Sequence, residues 1–185
     1  MAEIDFLEVN PIADVVKGTD FVTVGTPTTG AIELAQLLHG TIITFSNAFA
    51  AVKQRAVVEE FVLLQTMDPA SGDVLVQKAM TVLLYNSDII TLVAAAEIVY
   101  KATYDSENCI GSFTIPADSW VVEGETIARA TVHPNIQLKG NIGTTIGKNI
   151  YAAIIGGDVL PLTLPTGFAL AADLKLKHVG SLDEA

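Results

Sequence analysis

Between Phe168 and Lys177 the chain alternates without a break, with Phe168, Leu170, Ala172, Leu174 and Leu176 on one side of an extended backbone and Ala169, Ala171, Asp173, Lys175 and Lys177 on the other. Successive side chains of a strand point to opposite faces, so this stretch makes a strand that is dry on one face and wet on the other. A second copy of the pattern runs from Thr126 to His133, where Ala128, Ala130 and Val132 oppose Arg129, Thr131 and His133. Strands of this kind need neighbours in a sheet and a second layer over the apolar face.

Other runs are apolar on both sides. Phe61 to Thr66 and Ala79 to Tyr85 are too short for a typical helix, and in the second Met80, Val82 and Leu84 share one face while Thr81, Leu83 and Tyr85 share the other. A strand with two apolar faces belongs in the middle of its sheet. Asp68 to Asp73, with Pro69 and Gly72, supplies turn chemistry between the two runs, which predicts an antiparallel hairpin. Further strands are expected at Phe21–Val24, Thr41–Phe45, Cys109–Ile115 (stopped by Pro116) and Asn149–Ile155. The spacing of Ile32, Ala35 and Leu38 predicts a short helical turn, and Asp118 to Glu125 reads as a connection carrying the single tryptophan, Trp120. Ile89 to Tyr100 reads as a crossover, open between a short helix and a loop packed on the sheet.

Composition supports the same class. Val, Ile and Thr number 19, 17 and 18, an excess of β-branched side chains that suits sheets and disfavours helices. The expected fold is all-β: a two-sheet antiparallel β-sandwich with jelly-roll-like connections over residues 31–185, preceded by an extended N-terminal arm over 1–30. The arm carries Glu3, Asp5, Glu8, Asp14 and Asp20 against Lys17, and its apolar Ile4, Phe6, Leu7 and Val9 need a host surface, such as a neighbouring subunit.

Charge and cysteine content exclude several roles. A formal charge of -11, with ten scattered Lys and Arg, repels a phosphate backbone and argues against direct nucleic-acid binding. Leu34 to Val52 lacks charge, but polar Gln36, His39, Thr41, Thr44, Ser46 and Asn47 interrupt it, so it does not read as a membrane span. The first residues show no basic and apolar leader, which predicts synthesis without export through a secretory signal. Cys109 is the only cysteine, so an intrachain disulfide is excluded, and a small buried hydrophobe is its simplest role. Apolar residues reach 50% and charged ones only 17%, against ~25% in ordinary soluble domains. That balance predicts an oligomer with part of its surface covered.

No reactive constellation emerges. Gly143 to Asn149 has three residues between its glycines and Asn149 after Lys148, whereas a phosphate loop needs four and a hydroxyl. His39, His133 and His178 are widely spaced, without metal-ligand spacing, and each reads as a surface or edge residue. Ser112 follows Gly111 but precedes Phe113, which is no nucleophile elbow. Glu59 and Glu60 are sequence neighbours, so a regular strand would set them on opposite faces, while Glu123 and Glu125 would share one. The reading is therefore non-enzymatic, with no catalytic, cofactor-binding or metal-ligating residue assigned.

The order of features carries one resemblance. Gly30 through Ser46, Val57-Val58 with Val62-Leu63-Leu64, Thr81 through Asp88, Ile110 through Pro116 and Lys148 through Ile155 together resemble the β-sandwich decoration, or auxiliary head, proteins of tailed bacteriophages, over about residues 30–179. Such proteins coat an assembled shell and bring no catalytic residues. The resemblance implies a virion protein made in the host cytoplasm, bound to the major capsid protein on the capsid exterior, and commonly a homotrimer near local threefold positions. The reading from another class is a carbohydrate- or receptor-binding sandwich with Trp120 and Tyr151 as stacking candidates.

Overall fold

The computed structural model describes residues 22–24, 31–32, 35–39, 42–46, 48–49, 54–68, 75–86, 90–91, 99–100, 109–138, 149–157, 162–163 and 168–181. Among them the chain is nearly all strand, without an α-helix. In order the strands are β1 (Val22–Val24), β2 (Ala31–Ile32), β3 (Ile43–Phe45), β4 (Gln54–Thr66), β5 (Met80–Tyr85), β6 (Ile90–Thr91), β7 (Val99–Tyr100) and β8 (Cys109–Ile115). A 3-10 turn over Ala117–Ser119 leads into β9 (Trp120–Gly124), followed by β10 (Ile127–Val132), β11 (Ile136–Leu138), β12 (Ile150–Gly156), β13 (Leu162–Thr163) and β14 (Ala169–Ser181).

Two antiparallel sheets form a sandwich. One has the order β1-β14-β4-β10-β9, with β11 also on β4, and the other runs β3-β12-β5-β8. Short pairs β13-β2 and β6-β7 stand beside them. Between the sheets, Phe61, Leu63, Leu170, Leu174 and Ala130 of the first meet Phe45, Met80, Val82, Leu84 and Ile154 of the second in one buried cluster. Phe61 pins the layers together: its ring lies edge-on to Phe45 at 6.4 Å and to Phe113 at 5.1 Å. Edge-to-face aromatic pairs of this kind contribute about 0.5–1.5 kcal/mol beyond area burial.

The alternation read in the last strand holds. Phe168, Leu170, Ala172, Leu174 and Leu176 are buried, whereas Lys175 and Lys177 are exposed. The central place expected for Met80 to Tyr85 also holds, because β5 pairs with β12 on one side and β8 on the other. Its far face, with Leu83 and Tyr85, joins a second apolar cluster with Leu37, Ala153 and Tyr151.

The expected hairpin between Phe61–Thr66 and Ala79–Tyr85 does not form. β4 and β5 lie in different sheets, and the chain crosses the sandwich between them. The reason is one of layers: side-by-side pairing would leave Phe61 and Leu63 without the opposing Met80, Val82 and Leu84 that cover them. Two side chains hold the returning segment in place. The buried Gln65 amide donates from Nε2 to the Val76 carbonyl and accepts the Val76 N–H at 3.2 Å on Oε1, standing in for a strand partner. Trp120 donates its indole N–H to the Lys78 carbonyl at 3.0 Å.

The stretch around Ile32, Ala35 and Leu38 is not helical either. Residues 35–39 run antiparallel beside β12, with Ala35 N–H on the Gly156 carbonyl, Gly156 N–H on Gln36 and Leu38 N–H on Ile154. Where that run ends, the ring of His39 takes over and its Nε2 accepts the Ile154 N–H at 3.0 Å. His39 is fully buried, which corrects its reading as a surface residue. Asp118 to Glu125, expected as a connection, contains β9, and the crossover from Ile89 to Tyr100 contributes the paired β6 and β7. Within the stretch expected as an arm, β1 forms the anticipated strand and pairs with β14. Residues 1–21 and the loop 143–148 lie outside the described residues.

Candidate functional site

The residues weighed for chemistry are dispersed by this fold. Trp120 is buried in the core between the sheets, whereas Tyr151 packs on the opposite side of the four-stranded sheet. They do not form a common stacking platform. Ser112 is exposed on β8. Cys109 is half-buried beside the second cluster, and burial pushes its thiol pKa up from the ordinary value. A thiol so placed is a poor nucleophile at neutral pH. Among the described residues no three His, Cys, Asp or Glu side chains gather in a way that would hold a metal ion.

The carboxylates also depart from the sequence expectation. On β4 both Val58 and Phe61 are fully buried although three positions apart, while Glu59 and Glu60 between them are partly exposed. The register explains this: Glu60 faces Lys175 and Val58 faces Leu176, so Glu59 is an extra residue, a β-bulge. Both glutamates therefore lie on the outer face of the sheet, not on opposite faces as regular alternation predicts. The bulge is met from the other side by His133, which is exposed and donates from Nδ1 to the Glu59 carbonyl at 3.0 Å. Asn135, in the left-handed region at φ 50, returns the chain to β4 by donating its N–H to Val58 O. The sequence signal for the bulge was the adjacent pair of glutamates itself, since a strand with one core face has no regular place for two polar neighbours between Val58 and Phe61.

Glu123 and Glu125 are separated in role. Glu123 pairs with Arg129 across the β9–β10 hairpin at 3.4 Å, and Glu125 lies in the turn beyond the end of β9. Among the described residues that hairpin stands out for its apolar surface. It carries the exposed large hydrophobic side chains: Val121 at 62%, Val122 at 48% and Ile127 at 38% of full exposure. Val121 faces Arg129 and Val122 faces Ala128, so the two valines project to opposite faces of the sheet at its edge. Three exposed apolar side chains thus lie on one edge hairpin, on both faces of the sheet.

His178 falls on β14 opposite Ala56, but its side chain lies outside the described residues. No helix among the described residues is long and apolar enough to cross a membrane. No family model matches this chain, and neither a curated protein nor a solved structure matches it significantly.

Proposed function

We propose that this chain is a non-enzymatic virion protein of a tailed bacteriophage, one that decorates or cements the outside of the capsid shell by binding the major capsid protein. The observation that carries the binding role is the exposure of Val121, Val122 and Ile127 together on one edge hairpin of a closed sandwich. The low fraction of charged residues, 17%, and the resemblance in strand order support the virion setting. The protein acts as an oligomer, taken as a trimer, and symmetry multiplies a modest contact over many equivalent positions. It works without cofactor, nucleic acid or membrane.

Mass spectrometry and cryo-EM of virions purified from the producing host test the reading. The expected result is the protein at a fixed high copy number on the outer shell. Its absence from particles, or binding to defined glycans on an array with no particle association, would replace this reading with that of a carbohydrate- or receptor-binding module.

A further inference from the structure

We propose that the free edge of β9 is the docking site for an extended, basic segment of the partner protein, which adds to the six-stranded sheet as one more strand. The inference rests on the binding role proposed above and names the chemistry of what is bound. Among the described strands β9 is bonded to β10 alone, so main-chain N–H and C=O groups on its other side face outward. Such an edge accepts an extended backbone, and side chains on alternate faces then set specificity. Edges are guarded by Lys, Pro, other charges or bulges; Trp120–Gly124 has no Lys or Pro, and its exposed Glu123 and bulge lie at the far end, leaving Trp120–Val122 open. Val121 and Val122 offer apolar contact on both faces of the added strand, and Ile127 extends the patch across the turn.

Charge decides between a second copy and another protein. Residues 117–132 hold exposed Asp118, Glu123, Glu125 and Arg129, a local balance of 1 - 3 = -2, and Arg129 is already engaged by Glu123. Two copies meeting edge to edge would bring these carboxylates together, in a chain whose total charge is -11. A segment of alternating apolar residues flanked by Lys or Arg meets the same edge with attraction. The extra residue Glu123, where the β9–β10 register shifts, shortens the usable edge, so a single contact is weak and repetition on a symmetric shell supplies the avidity.

The test uses the full-length chain and a fluorescein-labelled nine-residue peptide that alternates valine with threonine and carries lysine at both ends. Expected results are saturable binding that falls with added salt, and a loss of roughly tenfold or more in the Val121→Lys/Val122→Lys double variant. The same loss is expected when the terminal lysines become glutamates, or when a central proline removes a main-chain donor. Circular dichroism checks that the double variant keeps its fold, as positions this exposed allow. Equal binding by the glutamate- or proline-bearing peptide, or by the double variant, overturns the proposal. So does sedimentation in which the double substitution dissolves an oligomer of the wild-type chain, because the edge would then belong to a second copy. Failure of peptide binding by a protein that is present on virions sinks the edge alone, whereas absence from virions sinks the decoration role.

Discussion

The ring of His133 donates from Nδ1 to the main-chain carbonyl of Glu59 at 3.0 Å, joining the end of β10 to the bulge of β4 across 74 residues of sequence. The bond gives the carbonyl of the bulged Glu59 a partner from outside β4.

Because Glu59 is the extra residue, removing it restores simple alternation between Val58 and Phe61. Deletion of Glu59 should leave a folded protein weakened by about 1 kcal/mol, the scale of the lost hydrogen bond. Deletion of Val62 should instead unfold it, since Phe61 and Leu63 would become neighbours and one of them would leave the core. Urea midpoints of the two deletions decide the matter, and comparable losses would mean that the bulge is not the spare position.

Gln65→Leu keeps the side-chain volume but strands the N–H and C=O of Val76. Each buried unpaired group costs roughly 1–3 kcal/mol, so a drop of several kcal/mol in unfolding free energy is expected despite the more apolar core. An unchanged or raised urea midpoint would show that water replaces the amide.

Gly111 sits where β8 meets β11, and an added Cβ would lie 2.8 Å from Leu138 Cδ2 and 2.9 Å from Ile136 Cδ1. Leu138 is fully buried and has little room to yield. Gly111→Ala should destabilise by about 1–3 kcal/mol, and Leu138→Val should recover part of that loss in the double variant. Strict additivity of the two substitutions in thermal unfolding would refute the contact.

Burial raises the Cys109 pKa, so the thiol stays protonated to higher pH than a free cysteine does. Labelling with a disulfide reagent at pH 8 should be slow in the native protein, accelerate in urea, and climb only at more alkaline pH than for a small thiol. Native and unfolded rates that coincide would place the thiol in open water.

Much of the secondary structure was legible because it is local. The alternations at Thr126–His133 and Phe168–Lys177, and the two-faced run Met80–Tyr85, appear in the structure with the faces expected of them. Breaks in alternation were less legible. For the neighbouring glutamates at 59 and 60, regular alternation predicts opposite faces, and the bulge suspends that rule. β9 was hidden because it is short, and its Trp-Val-Val run has no clean polar-apolar period.

By itself the sequence determined the class of the fold and the face each regular strand buries, because backbone pleating ties side-chain direction to position along the chain. Tertiary structure alone decided which sheet each strand joined. β4 and β5 carry compatible apolar faces, and turn residues between them favour adjacency, yet opposing layers bury those faces more completely than neighbouring strands do. The same holds for the side chains that replace backbone partners. Gln65, Trp120, His39 and His133 each meet a main-chain group more than ten residues away, and only the closed sandwich brings those groups within hydrogen-bond reach.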